Sequence, residues 1–272
     1  METQALISLI EDRIRLNSET LSNQFFSKNN ITDTKYFVLD NLLPDELATK
    51  IYEEFPSKEV FNFRSTFREK KFDFAKLNTL NTSLINNVAN AFQSDEVINS
   101  IEKITNLTNL ESDPSLYAGG ISRMDMGHFL NPHIDNSHES TKKKYRRINA
   151  LFYVTPNIIE SNGGNFELWD KKIKEPLKIP SKFNRLIVME TNKDSWHSVD
   201  KVTSKVNRCC VSNYYYSDES PESYSYYHVT SFCGRPEEKF KRLYSMFDNI
   251  MRNTFTKITR ISRGKQLMRK AK

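Results

Sequence analysis

Two side chains that ligate metals stand one residue apart in the run Gly119 to Asp135, GGISRMDMGHFLNPHID, at His133 and Asp135. Residues i and i+2 of a strand point to the same face. An imidazole and a carboxylate set this way can grip one ion from one side and leave its other side open. A third candidate, His197, lies well downstream in Ser195-Trp196-His197. Two imidazoles and one carboxylate, with open positions left over, suit ferrous iron held for oxygen chemistry.

Such a grip needs strands to hold it, and the sequence offers them from Ser115 onward. Short runs of aromatic and β-branched residues fall at 117–123, 128–134, 147–154, 164–169, 185–190, 197–202 and 208–216, separated by turn residues. Many short strands with turn signals predict a sandwich or barrel. The upstream half reads differently. Apolar residues recur at helical spacing over 4–26, a turn at Leu43-Pro44-Asp45 leads into a helix to about Phe55, and 81–94 and 95–107 are further helices, the last with an acidic cap. The stretch 57–78 is charged and aromatic without a clean period and reads as loop and short strands. A helical stripe returns at Phe240, Leu243, Phe247, Ile250, Met251 and Phe255. Helices first and strands second on one core give an α+β fold: a double-stranded β-helix (jelly-roll) core, N-terminal helices packed on one sheet, and a C-terminal helix. The expected units are a helical extension at 1–35, a jelly-roll domain with helical support at 36–235, and a C-terminal helix with basic tail at 236–272.

Composition excludes several classes. The chain of 272 residues is 38% hydrophobic and 12% aromatic, ordinary values for a soluble domain. No apolar run is long enough for a membrane span, and the N-terminus carries acids within its apolar stretch, unlike a signal peptide. Three cysteines, Cys209, Cys210 and Cys233, form neither a disulfide framework nor a zinc ribbon, which suits a reducing cytoplasm. Vicinal Cys209 and Cys210 point to opposite faces of a strand and read as structural. The net charge of +6 resides in Lys257 to Lys272, where seven Lys or Arg and no acid occur. The body is near neutral, so no nucleic acid is expected as a partner. The tail is read either as a solvated terminus or as a peripheral membrane contact.

The ordered set HxD, RxNALFYVT, GGNFELWD, FNRLIVMET, WHSV and NRCCVSNYYY resembles the 2-oxoglutarate/Fe(II)-dependent oxygenases, and among them the prolyl 4-hydroxylase-like branch. The resemblance spans about residues 36–217 and is stronger from 117 onward. It implies Fe(II) on His133, Asp135 and His197, with 2-oxoglutarate as cosubstrate, O₂ as oxidant and ascorbate as a candidate accessory reductant. It implies that Arg208 holds the distal carboxylate of 2-oxoglutarate, a task for a bidentate fork that never loses its charge, and that Tyr153 bonds the same carboxylate. Two positions depart from the family pattern. Met124 stands where relatives often carry a tyrosine, and Cys210 where they often carry a small hydroxyl residue. Asp135 favours hydroxylation over halogenation, which replaces that carboxylate with a small residue.

Arg147, Asn149, His128 and Trp196 are candidates for a substrate-binding rim. His138 and His228 read as structural, with His138 near the site mouth. Gly163-Gly164 are expected to make a tight hairpin. The basic run Lys142, Lys143, Lys144, Arg146 and Arg147 could attract an anionic substrate or form a solvated loop. The expected reaction is hydroxylation of a C–H bond, on a prolyl residue of a peptide or protein or, alternatively, on a small molecule such as an amino acid or saccharide. A non-catalytic cupin-like metal binder would have no need of Arg208 and Tyr153, and a zinc hydrolase would need a base that no HExxH supplies.

Overall fold

The computed structural model describes residues 1–80, 83–113, 116 and 119–259. Part of the expected strand at 117–123 and of the basic tail, residues 117–118 and 260–272, lies outside the described residues. Alternating side chains explain the central sheet. In β6 (Tyr145–Tyr153), Ile148, Ala150 and Phe152 face one way and Leu151 and Tyr153 the other. The same split occurs in β9 (Arg185–Glu190), where Leu186 and Val188 oppose Ile187 and Met189. In β11 (Arg208–Ser217), Cys209 opposes Cys210, so the vicinal thiols do face apart and both are free.

The outward set packs against helices in one continuous core. Leu6, Ile10 and Ile14 of α1 (Thr3–Leu16), Leu21 and Phe25 of α2 (Ser18–Phe26), Ile51 of α3 (Asp45–Glu53), Val88 and Phe92 of α4 (Ser83–Phe92) and Val97, Ile101 and Ile104 of α5 (Asp95–Thr105) all belong to it. The helix expected over 4–26 breaks at Asn17. The cap of α5 is Ser94, whose side chain accepts from Val97 N, while the acids Asp95 and Glu96 occupy the first turn.

The remaining strands are β1 (Tyr36–Asp40), β2 (Asn62–Ser65), β3 (Glu69–Phe74), β4 (Gly120–Met124), β5 (Phe129–Ile134), β7 (Phe166–Trp169), β8 (Pro176–Ile179), β10 (His197–Val199) and β12 (Ser231–Phe232). They form an antiparallel sheet in the order β1-β9-β6-β11-β4-β3-β5-β10-β7-β8, curled into a half-barrel, with β2 on β3 and β12 on β5. This is the jelly-roll core expected from sequence. The aperiodic stretch at 57–78 supplies the β2–β3 hairpin, whose charged residues line the interior. A last helix, α6 (Lys239–Thr259), crosses near β12.

Candidate active site

Register brings the distant ligands together. Antiparallel pairing of β5 with β10 sets His133 opposite His197, and the rings lie 4.1 Å apart by centroid. Asp135 follows two residues after His133 on the same face, with Oδ1 3.8 Å from His133 Nε2 and Oδ2 3.6 Å from His197 Nε2. One ligand atom from each of the three lies within 4.8 Å of the others. No other such group of acids, histidines or cysteines occurs among the described residues.

Both imidazoles are held in the tautomer a metal requires. His133 Nδ1 lies 3.0 Å from Asn131 O, and His197 Nδ1 lies 2.9 Å from Ser195 O. A carbonyl can only accept, so each Nδ1 carries the proton and each Nε2 lone pair turns inward. Burial, reinforced by the neighbouring His197, pushes the pKa of His133 down to about 3, which keeps it neutral. For Asp135, burial opposes ionisation, but Arg146, His197 and His133 outweigh it and hold the carboxyl below its ordinary range. Arg146 Nη1 lies 3.1 Å from Asp135 Oδ2 as an ion pair, and this buried oxygen makes no hydrogen bond of ordinary geometry. Two imidazole nitrogens and a carboxylate oxygen with spare acceptor capacity fit ferrous iron.

The second half of the site is built around Arg208, which opens β11 opposite Met124 of β4. Nη2 donates to Tyr153 Oη at 3.0 Å, and Nε donates to Gly164 O at 2.6 Å and Ser181 Oγ at 3.0 Å. Nη1 lies 3.6 Å from Met124 Sδ. The guanidinium is buried, and no acidic side chain among the described residues pairs with it. Gly164 makes the approach possible. Its φ is +74°, and a Cβ there would come within 2.8 Å of Arg208 Cδ. Arg208, Cys210 and Leu151 share with the three ligands a cavity of about 1290 Å³.

The rim expectations fare unevenly. Asn149 lines the cavity, but Arg147, His128 and Trp196 do not. A β-bulge corrects Arg147: Tyr215 pairs with Ile148 but Tyr216 with Arg146, so Arg147 is skipped. Strict alternation back from Tyr153 through Leu151 and Asn149 would put Arg147 inside; the extra residue puts Arg146 there instead. Arg147 donates to Glu219 O at 3.0 Å, away from the cavity. His128 packs against the rings of Phe63 and Phe72, with centroids 5.7 and 5.2 Å away. Trp196 is half-buried outside the lining. The expected basic cluster is dispersed, because Arg146 is interior, Arg147 is engaged with Glu219, and Lys144 pairs with Glu111. Sequence reasoning named Arg146 only within the basic run and not as an interior partner of Asp135, and it missed Tyr214 beneath that guanidinium at 4.0 Å and Ser181. Nothing short of the bulge could have revealed the first.

A curled antiparallel half-barrel thus presents a His-Asp-His face that fits ferrous iron. Residues 119–216 match the model of the 2OG-Fe(II) oxygenase superfamily. The chain is similar in structure to a prolyl hydroxylase from Trichoplax adhaerens solved with a hypoxia inducible factor peptide fragment, at 18% identity and TM-score 0.56, covering 76% of this chain and 92% of that one. It is also similar to a prolyl 4-hydroxylase from Phytophthora capsici (16% identity, TM-score 0.54, 92% of this chain and 77% of that one). A prolyl-4-hydroxylase from Pseudomonas putida aligns at 12% identity and TM-score 0.51, over 75% and 98%. At these identities the likeness is one of fold. No curated protein sequence matches the chain significantly. Residues 119–216 thus match a 2OG-Fe(II) oxygenase domain on a prolyl 4-hydroxylase-like fold, with a His-Asp-His group that fits Fe(II).

Proposed function

We propose that this protein is an Fe(II)- and 2-oxoglutarate-dependent dioxygenase that hydroxylates a prolyl residue in a peptide or protein, through residues 36–235. The observation that carries the cosubstrate half is Arg208: a buried guanidinium with only neutral partners, in the same cavity as the His-Asp-His face. A buried cation is costly without a counter-charge, and a carboxylate of 2-oxoglutarate supplies one. In this reading His133, Asp135 and His197 hold Fe(II), and Arg208 with Tyr153 holds the distal carboxylate. The bound iron and cosubstrate supply an oxidant strong enough for an unactivated C–H bond, with 2-oxoglutarate leaving as succinate and CO₂. The protein's own part is to present the Nε2 atoms of two imidazoles, hold Asp135 as a carboxylate beside Arg146, and wall the site with Phe166 and Phe232, whose rings lie against His197 and His133.

Support for a prolyl substrate comes from the fold shared with the prolyl hydroxylases. Free Cys209, Cys210 and Cys233 are compatible with a reducing, cytoplasmic setting, and ascorbate would serve as accessory reductant. The test is succinate formation from 2-oxoglutarate and Fe(II), with mass spectrometry of proline-containing peptides against free amino acids and saccharides. A 2-oxoglutarate-dependent gain of one oxygen on the peptides alone is expected. The same gain on a saccharide or free amino acid alone would replace the peptide assignment.

A further inference from the structure

The last helix is packed inside out. An amphipathic helix normally buries its apolar stripe and exposes its polar one. In α6 the polar stripe makes the contacts. Arg242 donates to Ile173 O and Lys172 O at 3.0 and 2.9 Å. Asn249 brackets the backbone of Phe232, accepting from its N–H at 3.0 Å and donating to its carbonyl at 2.7 Å. Arg252 donates to Thr230 O at 3.0 Å, Asn253 accepts from Val229 N at 3.3 Å, and Asp248 pairs with Arg68.

Turned away from these contacts, Phe240, Leu243 and Ile250, with Phe247 and Met251 along the edge that also meets the active-site cavity, form one stripe, each more than half exposed and Phe240 92% exposed. Asp248 is the helix's single acid, and it sits on the docked side. The outward face therefore holds large apolar side chains and no negative charge. In sequence the stripe runs directly into Lys257–Lys272, with seven Lys or Arg and no acid.

We propose that the apolar face of α6 seats on an anionic lipid surface, whose charge is complementary to the cation-only sequence of Lys257–Lys272. The charge distribution selects this occupant. Apolar residues on one face joined to a cation-only segment are what an anionic bilayer takes up from both sides of its interface, hydrocarbon below and phosphate above. A second copy packed α6 against α6 would cover the apolar stripe, but it would bring a second set of cations and no acid on the paired faces. No helix among the described residues is long and apolar enough to cross a membrane, so the contact is peripheral. Tyr244, Phe247 and Met251 of the same helix also line the active-site cavity. A bilayer seated on α6 would thus lie beside the cavity, independently of which substrate the enzyme hydroxylates.

The experiment is co-sedimentation of the full chain with vesicles of phosphatidylcholine plus phosphatidylserine and with vesicles of phosphatidylcholine alone. Binding to the anionic vesicles is expected, weakening as salt is raised. A Phe240→Ser/Leu243→Ser/Ile250→Ser variant, none of whose positions lines the cavity, should bind at least about tenfold more weakly. Its succinate formation without vesicles should match the parent, which shows that it folds. Replacing the basic residues of 257–272 by Gln should abolish the preference for anionic vesicles. The proposal is overturned if neither vesicle binds the chain, if the triple variant binds as well as the parent, or if the parent is a dimer that the triple variant dissolves.

Discussion

Two buried arginines share one cavity and meet opposite fates. Arg146 and Arg208 stand on neighbouring strands, 2% and 3% exposed. Arg146 is matched within the protein: Asp135 supplies the counter-charge, and Tyr214 and Tyr216 cover its guanidinium face at 4.0 and 5.7 Å. Arg208 meets a phenol, a carbonyl, a hydroxyl and a thioether, with no acid among the described residues. Burying a charge is tolerable when a partner of opposite sign comes with it. Arg146 thus completes the metal-binding face from behind, whereas Arg208 leaves its charge to be met by an anionic ligand. Burial alone does not separate a structural cation from a ligand-binding one; the partner list does.

The contrast can be broken by mutation. The largest effect is expected from the ligands themselves: His133→Ala and Asp135→Ala should drop 2-oxoglutarate turnover to the level seen without added iron. Turnover equal to the parent's would remove the triad from the reaction. Next, Arg208→Ala should raise the 2-oxoglutarate concentration needed for half-maximal succinate formation about 100-fold, the usual scale for truncating one side of a buried charge pair. Its iron requirement should stay put. Arg146→Met should show the converse, weakening Fe(II) or Co(II) binding about 10- to 100-fold while the 2-oxoglutarate requirement at saturating metal changes little. If both arginines shifted the same constant, the division of labour would be wrong.

The smallest effect concerns pH and the rim. His138 packs against Tyr145 at 4.2 Å, and burial, aided by His228 and Lys142 against Glu139, holds its pKa down to about 4 from 6.5. The unfolded chain therefore takes up the proton first. This contribution to stability is complete above about 6.5 and is lost as pH falls from there towards 4. Urea midpoints measured across that window should fall less steeply for His138→Phe than for the parent.

Much of this was legible in the sequence because spacing carries it. The i, i+2 relation of His133 and Asp135, the alternation of β6 and β9, and the helical stripes of α1, α4 and α5 need no tertiary information. Three features needed it. The bulge at Arg147 exchanges the inward arginine, and a bulge is a property of two paired strands, not of either alone. His128 sits beside aromatic residues of β2 and β3, elements whose mixed composition hid their strand period. The stripe of α6 has a normal helical period, but period does not say which face docks, and here hydrogen bonds to backbone groups of 172–173 and 229–232 decide it.

Gly164 has a consequence for how this site can change over generations. Its carbonyl accepts from Arg208 Nε at 2.6 Å, and the space beside its α-carbon is filled by the Arg208 side chain. A methyl at 164 and a long side chain at 208 therefore compete for one volume. Substitutions at the pair have a preferred order: position 208 must shorten before position 164 can gain a Cβ, which would still press on Val202 Cγ2 at 3.2 Å and sit at a left-handed φ of +74°. A lineage that abandons the anchor can relax its turn afterwards, whereas one that alters the turn first disables the anchor in the same step.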